Sequence, residues 1–357
     1  MSWRLVTLTV ALLLPALVAR AQEVPAAPDD PRVDLATDKG LQYLASTQLP
    51  NGSWPTIGYG GSPGITSVAI LAFMAKGNMP GQGPYGETIN RGIRYVLAQA
   101  MDTGLIISPD CKSPHMYNHG ISTLMLTQAL GMCDAELAAK IRPVLTRAVK
   151  LTLQAQAATK KDPLHIGGWR YNPYSDDSDI SCTGWQLLSL RAAKDCGADV
   201  PKEAIDAAVG YIKRSAAVGG GFAYQAGTPV PEHAQSNRAR AGTGIVSLEI
   251  CARHLEPEAV AAAEFLVNHP PQLPPNLDNV WFYYAVYYTS QGMFQVGGRY
   301  WEIERPRMEA LLLSVQQPDG SWPSADGTDQ QAGPAYCTSM AILSLSVKYH
   351  YLPIYQR

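Results

Sequence analysis

Charge is scarce in this sequence. Only 16% of its 357 residues are Asp, Glu, Lys or Arg, against about 25% in ordinary globular chains. The 28 basic and 30 acidic side chains leave a net charge of -2. Such a balance offers a polyanion no basic surface, so nucleic acid is excluded as an expected partner. Phenylalanine is scarce as well, five residues against 18 tyrosines, so ring-rich stretches bring hydroxyls that need partners. The six cysteines contain no CxxC pair, which removes compact zinc and redox motifs built on that spacing. There is no P-loop and no HExxH, and no CGEQ thioester. Beyond the N-terminal segment no apolar run reaches the roughly 20 residues of a spanning helix.

What is present begins with an export signal. Arg4 precedes an apolar run from Leu5 to Val18, and Ala19-Arg20-Ala21 has the small-x-small pattern of a cleavage site. The sequence thus predicts a signal peptide over residues 1–21 and a flexible leader rich in Pro, Ala and Asp over 22–34. One domain follows over 35–357. The mature chain is expected to be exported, periplasmic or extracellular, without a transmembrane segment. Export would permit disulfides, although six cysteines allow 15 pairings; Cys251 and Cys337, inside apolar stretches, read as buried thiols.

A recurring phrase organises the rest. QLPNGSWP, from Gln48, returns as QQPDGSWP, from Gln316. Related copies occur at a step of roughly 50 residues: KGLQYLASTQLPNGSW from Lys39, RGIRYVLAQAMDTGLI from Arg91, Arg147 through Gln156 to Gly167-Trp169, Tyr211 to Gly220-Phe222, EAVAAAEFLVNHPP from Glu258, and Arg307 through LLLSVQQPDGSW. The pattern is an apolar helix, a Gly turn and an aromatic anchor, with Ile106 in place of the ring in the Arg91 copy and the Glu258 copy a weaker match. A second, less charged helix is expected after each: Ile65 to Lys76, Gly120 to Gly131, Ser181 to Lys194, Thr243 to His254, Val280 to Met293 and Tyr336 to Tyr349. An open array would need atypical capping repeats at its ends, yet the first and last copies are the best matches. The sequence therefore predicts an all-α ring, an α/α toroid of six helical hairpins with inner helices around a cavity.

The repeat resembles the QW-type motif of the squalene cyclase and protein prenyltransferase superfamily along nearly the whole mature chain. MYNHGIST from Met116, GGWRYNPYSDDSDISCTGWQLLSL from Gly167 and KYHYLPIY near the end are similar to exported bacterial prenyltransferase/squalene-oxidase repeat proteins. The resemblance implies an α/α toroid and a polyprenyl or terpenoid-like ligand, with cyclase-type isomerase chemistry as one branch. In the cyclases a DxDD motif at an inner-helix start supplies a proton; here Asp177-Ser178-Asp179 reproduces DxD, with Asp179 at the donor position, Asp177 as its partner and Ile180 in the last place. The protein prenyltransferases hold zinc with Asp, Cys and His, and only Asp179 survives of these, Ser181 and Tyr336 standing at the other two positions. No metal or other cofactor is expected.

Inner helices that all start on one face bring their first residues together. Candidates at that mouth are Tyr117, Asn118 and His119, the acidic run Asp176, Asp177 and Asp179, Arg238 and Arg240, Asp278 and Tyr336. Helix starts carry partial positive charge, and Asp and Ser are also common helix caps, so Asp177 and Asp179 are read both as acid groups and as caps. WFYYAVYY places Trp281, Tyr284 and Tyr288 on one helical face, for a ligand or for the core. Trp169, Tyr171 and His119 are candidate ligand contacts near the mouth, His119 also reading as a cap residue. Arg238 and Arg240 are candidates for holding an anion, or for pairing with the acidic run. Asn51-Gly52-Ser53 reads as turn chemistry rather than a glycosylation site. Three functions remain open: a terpenoid-binding or cyclase-like ring, a non-catalytic binding or scaffold module, and a glycan-active toroid using Asp177 or Asp179 with Asp278.

Overall fold

The computed structural model describes residues 30–227, 236–254, 256–271, 281–323 and 327–356. The expected signal peptide lies outside the described residues. The first helix starts at Pro31, inside the stretch expected to be a leader; Asp30 caps it by accepting a hydrogen bond from the Arg32 amide, so residues 31–34 belong to the ring.

Among the described residues there are helices and isolated bridges but no strand. Six outer helices are α1 (Pro31–Thr47), α3 (Gly86–Ala98), α5 (Ala135–Gln156), α7 (Lys202–Arg214), α9 (Pro257–Asn268) and α11 (Gly298–Leu313). Their inner partners are α2 (Pro63–Ala75), α4 (His115–Leu130), α6 (Ile180–Asp195), α8 (Arg238–Glu249), α10 (Phe282–Val296) and α13 (Pro334–Leu345), the last preceded by the short α12 (Gly327–Ala332). Each inner helix packs on the next, α2 on α4, α4 on α6, α6 on α8, α8 on α10, α10 on α13 and α13 back on α2. The molecule is an α/α toroid. Inner helices are covered from several sides, and every residue of α2 is buried. Outer helices bury one stripe, as Ile89, Ile93 and Val96 do in α3.

The recurring phrase is the joint between hairpins. At the end of α1 the Gln48 amide donates to the Gly52 carbonyl and to the Thr88 carbonyl of the next outer helix, 2.9 Å each. Gln156 repeats this with Gly167 and Ala204. Gln316 does so with Gly320 and with Ala36 in α1. The last copy therefore closes the ring on the first helix. The anchors Trp54 and Trp322 donate from the indole to the carbonyls of Leu44 and Leu312, ten residues back in each case. Both rings are buried, and truncating such a ring costs about 3–5 kcal/mol.

Glycine is required at these joints because two backbones touch. Gly52, Gly104, Gly167, Gly220 and Gly320 have φ between +90° and +97°. A Cβ on any of them would lie 2.2–2.6 Å from a carbonyl oxygen of the following outer helix.

Several helices begin earlier than the sequence pattern suggests. α4 starts at His115 behind Pro114, so Tyr117, Asn118 and His119 are helical residues instead of preceding the helix. α8 starts at Arg238, capped by the Asn237 side chain, and ends at Glu249. Cys251 follows that end and is half-buried, whereas Cys337 is buried. The string Gly81-Gln82-Gly83-Pro84-Tyr85-Gly86 has the spacing of a dinucleotide turn, but it joins two helices and lacks the preceding strand such a turn requires.

The ring is stopped at the far ends of the inner helices. There Pro353–Tyr355 forms a short 3-10 turn, the Ile354 amide donates to Gln128 Oε1 at 2.9 Å, and the Tyr355 and Tyr287 hydroxyls bond at 2.7 Å. Tyr287 in turn stacks on Trp185 with ring centroids 5.6 Å apart.

Gly197 offers a control for the joints, since it also has positive φ, +84°, but nothing within 4 Å of an added Cβ. Gly197→Ala should cost only backbone strain, about 1 kcal/mol, while Gly320→Ala adds collision with the Lys39 carbonyl and should cost at least about 2 kcal/mol more. Urea unfolding of both variants checks this; equal losses would refute the close-approach account.

Candidate functional site

A cavity of about 480 Å³ lies where the inner helices begin, and all six contribute to its wall. From α2 come Gly64, Ile65 and Val68; from α4, Tyr117, Asn118 and Ile121; from α6, Ser181 and Trp185. α8 adds Ala239 and Arg240, α10 adds Tyr284 with Trp281 just before it, and α13 adds Tyr336. The joints contribute Tyr59, Tyr171 and Tyr224. The helix starts do converge in space, with Tyr117, Asn118, Arg240 and Tyr336 of the expected mouth residues in the wall and the other expected mouth residues not among its described lining.

Tyr117, Tyr171, Arg240, Trp281, Tyr284 and Tyr336 are candidates that do reach the wall. Trp281 is not on the helical face with Tyr284 and Tyr288; it precedes α10 in a left-handed conformation, φ 72°, and is 41% exposed. That strained backbone holds the ring at the rim, edge-on to Tyr284 with centroids 6.3 Å apart.

The other candidates are placed elsewhere. Tyr288 is buried behind the wall, packed edge-on against Trp185 at 5.2 Å between centroids, because its position two turns into α10 carries it past the cavity. Trp169 is the anchor of the α5–α6 joint, its indole donating to the Thr152 carbonyl at 2.8 Å. His119 is no ligand contact either. Its Nδ1 accepts the Ile106 amide at 3.3 Å and its Nε2 meets Thr152 Oγ1 at 2.9 Å, so it ties the α3–α4 joint to α5. Burial pulls its pKa down to about 4, and the ring is neutral at pH 7. Arg238 turns outward between α8 and α11, donating to the Leu266 and His269 carbonyls at 3.0 and 2.6 Å and pairing with buried Glu304. It meets neither the cavity nor the acidic run. Asp278 lies outside the described residues.

The acidic run is clamped by a residue the sequence reading passed over. Arg170 donates to Asp177 at 2.5 Å and lies 3.4 Å from Asp179. Asp176 pairs instead with Lys161 on the surface. Gln225 adds a second donor to Asp177 at 3.1 Å. Asp179 caps α6, accepting the Cys182 amide at 2.8 Å, and has no exposed surface. Burial pushes its carboxyl up to about 6, against the pull of that amide and of Arg170. Neither Asp177 nor Asp179 reaches the cavity wall. The Arg170 guanidinium also covers the rings of Tyr171 and Tyr224, 4.7 and 5.5 Å from their centroids, and those two hydroxyls bond to each other. Arg170 therefore holds part of the wall from behind.

Most wall polar groups are satisfied within the wall. Asn118 accepts from Ser62 Oγ at 2.7 Å and the Gly64 amide at 3.0 Å, and donates to Ser113 Oγ and the Pro114 carbonyl. The Tyr284 hydroxyl meets Thr243 Oγ1 at 2.9 Å. Ser62 sits in a GxSxG spacing, Gly60 to Gly64, but its hydroxyl caps α2 at the Ile65 amide, and no histidine is among the described wall residues. No activated serine results. Among the described residues no group of three or more His, Cys, Asp or Glu is placed to hold a metal ion.

Tyr224 was missed, although the sequence signals it. A tyrosine follows the anchor by two residues in both Trp169-Arg170-Tyr171 and Phe222-Ala223-Tyr224. Ser62 carries no such mark, since its pairing with Asn118, a mouth candidate that does reach the wall, spans two hairpins.

No protein family model matches the chain, and no curated protein matches it. Solved structures do. A glycosidase variant in complex with glucose aligns over 92% of this chain and 100% of its own at a TM-score of 0.59 and 12% identity. A selenomethionine derivative of a GH76 alpha-mannanase from Bacteroides thetaiotaomicron covers 90% of this chain and 97% of its own at 0.59 and 10% identity. The type II terpene cyclase MstE from Scytonema covers 90% and 99% at 0.53 and 13% identity. At such identities the likeness establishes the α/α toroid and nothing of the chemistry carried on it.

Proposed function

We propose that the ring binds a small molecule with an apolar, polyprenyl or terpenoid-like body in its central cavity, and binds it without turnover. The observation that carries this reading is the state of the wall: aromatic and aliphatic side chains from all six inner helices, with most of their polar companions already bonded to one another. Such a wall rewards burial of apolar surface and offers few hydrogen bonds to a ligand. A cyclase acid must touch its substrate; Asp179 is sealed behind the wall and held by Arg170, which supports binding over cyclisation. A variant of the cyclase MstE is described in complex with geranylgeranyl dihydroxybenzoate, so rings of this fold accept isoprenoid chains. Membership of the prenyltransferase/squalene-oxidase repeat group, and export after cleavage behind Ala21, are parts of the same proposal. N-terminal sequencing of the mature protein should begin at Gln22; an intact Met1 end would remove export.

A second reading is a saccharide in the same cavity, favoured by the ring-rich wall and by the glycosidase likeness. Equilibrium dialysis separates the two. Farnesol should bind saturably and be recovered unchanged, and glucose or short oligosaccharides should not bind. Trp281→Ala removes a rim ring worth about 1.5–3 kcal/mol on burial and should weaken farnesol about 10- to 100-fold. Saccharide binding without farnesol binding would reverse the assignment.

The cap reading of Asp179 yields a test in pH. Its carboxyl titrates at about 6 folded and about 3.9 unfolded, so over that window the folded chain takes up the proton and acidification stabilises it. His119 works in the opposite direction, about 4 folded and about 6.5 unfolded, so acidification there favours the unfolded chain. Asp179→Asn keeps a good cap and removes only the first contribution. Between pH about 6.5 and 4.5 the variant should lose roughly 1–3 kcal/mol more stability than the parent, with farnesol binding at pH 7 unchanged. Parallel urea curves for the two proteins across this range would overturn the assignment.

A further inference from the structure

The wall has two tiers. In the first turn of the inner helices it carries Tyr117, Asn118, Ser181, Arg240, Tyr284 and Tyr336; one turn further in it carries Val68, Ile121 and Trp185. A helical turn rises about 5 Å, so a polar tier lies at the mouth with an apolar tier beneath it. Below Trp185 the stacked Tyr287 and its bond to Tyr355 close the barrel.

Most hydrogen-bonding groups of the upper tier are committed to the protein. The Asn118 amide accepts from Ser62 and Gly64 and donates to Ser113 and Pro114. The Tyr284 hydroxyl is held by Thr243 and Ser181, Tyr117 bonds the Cys182 thiol, and Arg240 is engaged within the protein. Tyr336 differs. Its ring stands in the wall, half-buried, and its hydroxyl makes no hydrogen bond to any described residue. Burial holds this phenol well above the usual tyrosine range, so at neutral pH it keeps its proton and can donate it to a hydrogen bond.

Resting on the cavity reading above, we propose that Tyr336 selects and orients the ligand: an isoprenoid with oxygen at one end, its hydrocarbon end seated on the lower tier and that oxygen accepting a hydrogen bond from the Tyr336 hydroxyl. An alcohol, an ether and a carbonyl all supply such an acceptor. The reverse orientation would set the oxygen against Val68 and Ile121 and cover the Tyr336 hydroxyl with hydrocarbon, so both groups would lose water without gaining each other. A guest with no oxygen would leave the phenol in the same position.

Equilibrium dialysis of the full chain at pH 7.5 tests this with three guests of one skeleton: farnesol, its methyl ether, and the hydrocarbon with hydrogen in place of the hydroxyl. Tyr336→Phe keeps the ring and should weaken farnesol and the ether about 3- to 10-fold each, leaving the hydrocarbon unchanged. The ratio of variant to parent is compared within each guest, so differences in their solubility cancel. The melting temperature of the variant should equal that of the parent, since the hydroxyl has no partner to lose. No change, or equal losses for all three guests, would reduce Tyr336 to ring packing. Loss for farnesol alone would make the phenol an acceptor, and a lowered melting temperature would reveal a partner within the protein. Each of these outcomes overturns the assignment while the guests still bind the parent chain, so the cavity reading stands. If none of the three binds the parent chain, the cavity reading itself fails and the role of Tyr336 falls with it.

Discussion

The contact on which everything else rests is the glutamine amide at a helix end that bonds two carbonyls at once, one in its own turn and one in the next outer helix. Gln48 and Gln156 make it between neighbours in sequence. Gln316 makes it across 280 residues, to Ala36. The glycine beneath each joint lets backbones meet where any side chain would collide, and the aromatic anchor fills the space behind it. Three joints carry this clasp and five share the close-approach glycine, so the inner helices are delivered with their starts to one face and the cavity follows from closure of the ring.

That origin explains why the wall is an economical mixture. The side chains that meet there are those which happen to open six helices, and helix openings favour Ser, Asn and Asp for backbone reasons. Ser62, Asn237 and Asp179 serve their helices first. What remains for a ligand is mainly ring faces and aliphatic carbons, with Arg240 as the charged exception among the described residues. An acidic motif at such a place is therefore ambiguous by construction: Asp179 satisfies a cap and stands where a proton donor would.

The ring was legible in the sequence because its joints are local. Gln, Gly and Trp lie within a few residues of one another, and likeness between the first and last copies carries closure. The site was only partly legible, because what decides it is non-local. Nothing adjacent to Arg238 in sequence says that it turns toward Glu304 on α11 while Arg240, two residues on, faces the cavity. Nor does MYNHGIST reveal that His119 accepts an amide from the preceding joint. Arg170, between an anchor and a wall tyrosine, gave no signal as the group that neutralises two aspartates. In each case the fate of a polar side chain is set by a hairpin remote in sequence.

The tail that stops the far end of the ring has a kinetic meaning. With Tyr355 bonded to Tyr287 and Ile354 seated on Gln128, the barrel is a blind alley instead of a tunnel. On the ligand reading proposed above, a long guest would enter one end first and back out along the same path, so the end that enters first would leave last. Exchange of one such guest for another would then be sequential, since a second could not push the first through from behind.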